Sequence, residues 1–309
     1  MKGPRGYIMI LCAATLWGLS ATAAKELQNQ HLETLLIVQT RVSFSCLILL
    51  GLYLVFKPEL LKVRPRDLVH FALIGTIGVA GSNFTYYYML KESSVATAIL
   101  IQYTAPLFVM AYGAITKEEK FTLVKFSAAV VSLLGCYLAF GAYDSGTLRM
   151  SKTGALVGAS SVFCFAFLTV YTRRVLARYS AWTVVLYSLI FASALWLVVN
   201  PPWKIMLNSP ESGMWGILVL FAVMSILIPH TLYFGGLRLV VPSRAIITSS
   251  VEPIVAIVSA AVVLGEHLGQ VQVIGAAFVI GAIVLLQLRA EPAGMGGPQA
   301  PLPEQMNAT

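Results

Sequence analysis

Three ionisable side chains stand inside long apolar stretches of this 309-residue chain. Glu252 lies in the middle of the run from Pro242 to Glu266, PSRAIITSSVEPIVAIVSAAVVLGE, directly before Pro253. A carboxylate at mid-membrane depth costs about 3 kcal/mol or more, and such residues mark substrate or ion pathways. The proline removes one helical hydrogen bond beside the charge. Glu252 is therefore a candidate proton or cation site. The alternative is a structural glutamate hydrogen-bonded to a neighbouring helix. His230 follows Pro229, where a kink is expected. Histidine changes charge near neutral pH, so it joins Glu252 as a candidate for coupling, beside a purely structural role. Arg41 stands early in its own apolar run. It offers a fixed positive charge to a substrate carboxylate or, on the preferred reading, snorkels to the outer interface.

The composition says what must position these groups. Hydrophobic residues make up 58%, charged residues 11%, and the mean hydropathy is +0.81. A soluble domain carries roughly 25% charged residues, so this chain reads as an all-α integral membrane protein. Its net charge of +8 fits cationic membrane loops. No basic run interleaved with aromatics points to nucleic acid. Cys12, Cys46, Cys136 and Cys164 all fall in apolar runs and read as small fillers, with neither disulfide nor metal spacing. No metal or other cofactor is expected.

A helix needs about 20 residues to cross the hydrocarbon. That ruler gives ten spans, near 6–24, 35–56, 68–90, 95–116, 123–141, 153–172, 182–199, 214–237, 243–264 and 270–288. The first resembles a cleavable signal peptide, with Lys2 and Arg5 ahead of it and Ala21-Thr22-Ala23 at its end. It also contains Trp17-Gly18 and pairs with a later span, so it is expected to remain. Of the 21 Lys and Arg, five (Lys25, Lys91, Arg149, Lys152 and Lys204) fall on one side and Arg41 falls inside a span; the rest share the side of both termini. The positive-inside rule makes that side cytoplasmic, in a bacterial inner membrane.

A shift of 147 positions lays the second half on the first. Tyr86 meets Tyr233, Pro106 meets Pro253 and Glu119 meets Glu266; a shift of 148 sets Trp17-Gly18 on Phe165-Ala166. Each unit holds an odd number of spans, so two tandem copies lie upside down relative to each other. Inverted repeats of this kind build secondary transporters with a site near mid-membrane. The units are residues 1–142 and 143–289, and the Pro- and Gly-rich tail 290–309 reads as disordered.

Pro106 and Pro253 are the expected helix breaks. Around them, Asn83, Tyr86, Tyr87, Gln102 and Tyr103, with Trp17, Phe165, Tyr171 and Tyr233, can wall a cavity suited to amphiphilic, aromatic or cationic solutes. Helix packing with interhelical hydrogen bonds would also use such residues.

Taken in order, Trp17-Gly18, Arg41, Pro106, Glu252-Pro253-Ile254-Val255-Ala256 and Leu264-Gly265-Glu266 resemble the EamA-type branch of the drug/metabolite transporter superfamily. The first repeat departs from that pattern at Thr116-Lys117-Glu118-Glu119. The resemblance implies a carrier of small metabolites, often an amino-acid exporter, with spans 1, 3, 4, 6, 8 and 9 around a central cavity. The expectation is a secondary exporter in the lipid bilayer, monomeric or homodimeric, with proton coupling through Glu252 and His230. The alternatives are a passive facilitator or channel, or a lipid flippase. An intramembrane enzyme is disfavoured, since H-E-x-x-H and paired aspartates are both absent.

Overall fold

A computed structural model describes residues 4–92, 95–141, 151–207, 212–264 and 269–288. Among them there is no β-strand. The long elements are α1 (Arg5–Asn29) and α2 (Thr34–Phe56), then α3 (68–92), α4 (95–115) and α5 (Leu123–Ala139). They continue with α6 (Lys152–Val175), α7 (Ala181–Val199), α8 (212–237), α9 (242–264) and α10 (Gln270–Leu288). The starts are chemically marked. The hydroxyls of Thr122, Ser151 and Ser180 accept from the backbone N–H of Lys125, Gly154 and Thr183, satisfying donors that a helix N-terminus leaves open. α1 ends where His31 takes a φ of 64°.

Seven helices among the described residues are long and apolar enough to cross a membrane. The remaining expected spans differ for local reasons. α4 and α9 are each divided, α4 into Val95–Gln102 and Ala105–Ile115, α9 into Pro242–Thr248 and Val251–Leu264. α5 is apolar but short. The breaks fall just before the prolines rather than at them, at residues 103–104 and 249–250. Pro106 opens the second piece of α4, where its missing N–H is no loss. α3 and α8 each contain a π-helical segment, Ile74–Gly81 and Val223–Leu227. Such bulges inside α-helices concentrate at functional sites.

The packing pairs elements from opposite halves of the chain. α1 lies against α8 and α9, and α6 against α3 and α4; α2 meets α7 and α8, and α7 also meets α3. α5 and α10 form a separate pair. Lipid gives helices no hydrophobic reason to associate, so close backbone approach and interhelical hydrogen bonds hold them. A Cβ on Gly18 would stand 2.6 Å from the backbone oxygen of Glu252, and one on Gly75 would stand 2.4 Å from that of Ser188. Gln39 and Asn200 exchange two bonds of 2.8 Å between α2 and α7. The Thr22 and Ser259 hydroxyls meet at 2.7 Å between α1 and α9.

Three of the cysteines are buried, as fillers should be, whereas Cys12 faces outward; all four are free thiols. Gly265, Glu266, Arg289 and the tail 290–309 lie outside the described residues.

Candidate functional site

Glu252 and Tyr103 tie the two helix breaks together. Ser249 stands four residues before Pro253, so its carbonyl loses the usual helical donor. It accepts instead from the Tyr103 hydroxyl at 2.9 Å and from the Glu252 backbone N–H at 2.9 Å. The same Tyr103 hydroxyl lies 2.7 Å from Oε2 of Glu252. Both side chains are buried. A residue at the break of α4 thus satisfies the break of α9 and holds its carboxylate in place. Gly18 lets α1 approach this point, since only a glycine leaves room against the Glu252 backbone.

Beside this junction is a partly open cleft of about 450 Å³, counting the solvent space at its mouth. Trp17, Arg41, Asn83, Tyr86, Tyr87, Gln102, Phe165, His230 and Glu252 line it. Tyr103 and Tyr233 stand directly behind that lining. The Tyr233 ring lies 5.0 Å from Trp17 and stacks on Phe165 at 6.4 Å, and its hydroxyl meets that of Thr169 at 2.9 Å. Trp17 meets His230 edge-on at 5.4 Å. The rings brace one another, and Trp17 and Phe165 turn apolar surface toward the cleft. Such ring pairs add about 1 kcal/mol each beyond area burial.

Two residues sit otherwise than expected. Arg41 does not snorkel. It is 2% exposed, with its guanidinium 4.5 Å from the Tyr87 ring centroid and 5.2 Å from that of Phe221. Its Nη2 donates to the Ser225 carbonyl at 2.8 Å, and Ser45, one turn on, donates to that of Ala222 at 2.9 Å. Ser225 lies within the π-helical segment of α8 and Ala222 just before it. The irregular backbone offers carbonyls to α2, and that draws the arginine inward. Tyr171 lies outside the cleft. It follows Phe165 by six residues, which at 100° per residue turns it roughly 120° away around α6. Its hydroxyl meets Nδ1 of His70 at 2.7 Å, and its ring stacks on Phe167 at 4.9 Å.

Ser82 and Leu168 also line the cleft. Ser82 adjoins Asn83, and Leu168 stands one helical turn beyond Phe165, so helical spacing could have found both. Several polar atoms here have no hydrogen-bond partner among the described residues: Nε and Nη1 of Arg41, the Tyr86 hydroxyl and Nδ1 of His230. Buried polar groups are normally satisfied by protein or water.

A second polar cluster sits in the connections on the arginine-rich side. Glu119 accepts from Lys125 at 3.0 Å, from the Ser243 backbone N–H at 3.1 Å and from the Ser243 hydroxyl. Arg174 pairs with Glu118 and Tyr112. Tyr179 donates to Asp67 at 2.6 Å, and burial with that bond pushes its phenol above the usual range. Among the described residues, no group of three or more His, Cys, Asp or Glu is placed to hold a metal ion.

The model of the EamA-like transporter family matches residues 4–141 and again 152–288. The chain belongs to the EamA-like transporter family. Its EamA-like relatives include a protein of Salmonella typhimurium named uncharacterized inner membrane transporter YicL. That protein is 23% identical over 291 residues, covering 92% of this chain and 95% of its own. The threonine/homoserine exporter RhtA of Escherichia coli is 23% identical over 250 residues, covering 80% of this chain and 79% of its own. An uncharacterized transporter of Archaeoglobus fulgidus is 26% identical over 282 residues, with 91% and 95% covered. A solved crystal structure shares the fold, with a TM-score of 0.73 at 20% identity over 92% of this chain and 96% of that one. This EamA-like protein is a multi-pass membrane transporter and not an enzyme.

Proposed function

We propose that this transporter is a secondary carrier that exports small metabolites, amino acids or related amphiphilic compounds, through the central cleft by alternating access. The observation that carries the reading is the cleft itself. It lies beside the meeting of two broken helices, and its lining comes from both halves of the chain. Discontinuous helices at a repeat interface are where secondary transporters bind solute. The name of the relative RhtA, a threonine/homoserine exporter, supports amino acids as the first solutes to try.

The architecture proposed is ten membrane-spanning helices in two inverted five-helix repeats, residues 1–142 and 143–289, with both termini cytoplasmic. Three features support it. The family model matches each half separately. The π-helical segments and the breaks recur at related places in the two halves. Exchanging the halves largely reproduces the helix pairing, with α1 on α8 and α9 mirrored by α6 on α3 and α4. Proton coupling is assigned to Glu252, which faces the cleft and is held by one hydroxyl.

The test is counterflow in liposomes containing the purified protein. Radiolabelled threonine should accumulate transiently against preloaded unlabelled threonine, and saturate. Uptake that rises linearly with concentration and shows no counterflow would identify a channel, and lipid scrambling without solute movement a flippase. Either result would overturn the carrier.

A further inference from the structure

We propose that the cleft is built for a zwitterion, with Arg41 taking an anionic group of the solute, Glu252 a cationic group, and the aromatic wall its apolar part. This rests on the cleft being the substrate site and goes beyond it by fixing the charge at each end.

Arg41 supplies the first observation. It is buried on the cleft wall with one nitrogen satisfied by Ser225, while Nε and Nη1 have no partner among the described residues. A guanidinium in that state is ready for a carboxylate, which accepts charge-assisted bonds from it. Glu252 lines the same cleft, with Oε2 held by Tyr103. Among the described residues, neither Arg41 nor Glu252 takes part in an ion pair. Two opposite charges share one small cleft without neutralising each other directly.

The repeat register supplies the second. At a shift of 147, the cleft residues Tyr86 and Asn83 correspond to Tyr233 and His230, and Gln102 to Ser249. In these three pairs aromatic answers aromatic and polar answers polar. The charges break this correspondence. Arg41 falls on Ser188 and Glu252 on Ala105, so each half adds one charge that the other lacks. They give the cleft one positive and one negative group, one from each half. A simple anion entering here is attracted by Arg41 and repelled by Glu252, and a simple cation meets the reverse. In a low-dielectric cavity both penalties are large. A solute carrying both charges is favoured by both poles and is held in one orientation.

The test compares three ligands with the same hydrocarbon on the purified full-length protein, by calorimetry. L-phenylalanine carries both charges, phenethylamine lacks the carboxylate and 3-phenylpropionate lacks the ammonium. Phenylalanine should bind about 10- to 100-fold tighter than either. Arg41→Gln should erase its advantage over phenethylamine, and Glu252→Gln its advantage over 3-phenylpropionate, whereas Arg41→Lys should retain part of the first. Equal binding of either single-charge ligand by the wild-type protein overturns the proposal, and so does the absence of binding by phenylalanine and by two further zwitterions titrated beside it, glycine and leucine. Because the ligand ranking is read on the wild type, a variant that fails to fold does not shield it. The carrier reading fails separately. Zwitterion binding without counterflow sinks the carrier alone, and counterflow of a singly charged solute without zwitterion binding sinks the zwitterion alone.

Discussion

α4 and α9 are broken alike but differ at the position before the proline. Both are broken just before a proline, both lie at the boundary between halves, and each packs against the first helix of the other half. At the position before the proline, α9 carries Glu252 and α4 carries Ala105, which is fully buried. The break is therefore a property of the fold, repeated in each half. The carboxylate is a property of one half alone. A broken helix presents backbone groups to a cavity, but an ionisable side chain is needed to exchange a proton or bind an ammonium. Tyr103 expresses the same asymmetry from the other side. It stands at the α4 break with its hydroxyl within hydrogen-bond distance of both the Ser249 carbonyl and the Glu252 carboxylate in α9. One half supplies the carboxylate and the other supplies the hydroxyl that holds it.

The most severe way to break this comparison is to copy the charge. Ala105→Glu would bury a second carboxylate where α9 offers Ser250 in place of a counterpart to Tyr103, at a cost of about 3 kcal/mol or more. The expected result is loss of folded protein on size-exclusion chromatography in detergent. Normal yield and a normal melting temperature would show that the α4 break tolerates charge as well as α9 does. Gly18→Val comes next. Its side chain would collide with the Glu252 backbone, and overpacking of this kind costs about 1–3 kcal/mol. A lowered melting temperature and impaired counterflow are expected, with Gly18→Ala milder. Tyr103→Phe removes one hydroxyl from Ser249 and Glu252, worth about 1–2 kcal/mol. It should lower stability modestly and shift the pH dependence of transport, because the carboxylate loses a donor to its charged form. The smallest effect belongs to Tyr171→Phe. Its hydroxyl serves His70, away from the cleft, so solute affinity should be unchanged in a binding titration.

Much of this was legible in the sequence because it rests on residue type and spacing. Glu252 before Pro253, the paired prolines, and Tyr86 answering Tyr233 are all visible in the letters. What was not legible depends on packing. The depth of Arg41 could not be read from its distance to the helix start, because carbonyls in the α8 backbone draw it inward and no residue of α2 announces that. The π-helical segments leave no clear signature, since Ile74–Gly81 is an ordinary small and apolar run. Tyr171 stands about 120° around α6 from Phe165 and outside the cleft, an angle that residue type alone does not show. Glu119 and Glu266 match in register, but only Glu119 lies among the described residues, where it anchors the start of α9 through Ser243.

Proton coupling through Glu252, the carboxylate peculiar to α9, is the proposal on which this comparison turns. Its most direct test is threonine counterflow in proteoliposomes across a pH series, comparing the wild type with Glu252→Gln. The wild type should show saturable counterflow whose rate changes with pH. The variant keeps the side-chain shape and cannot ionise, so its counterflow should fall by about tenfold or more and lose the pH dependence. Full-rate counterflow by Glu252→Gln with the wild-type pH profile would contradict the claim.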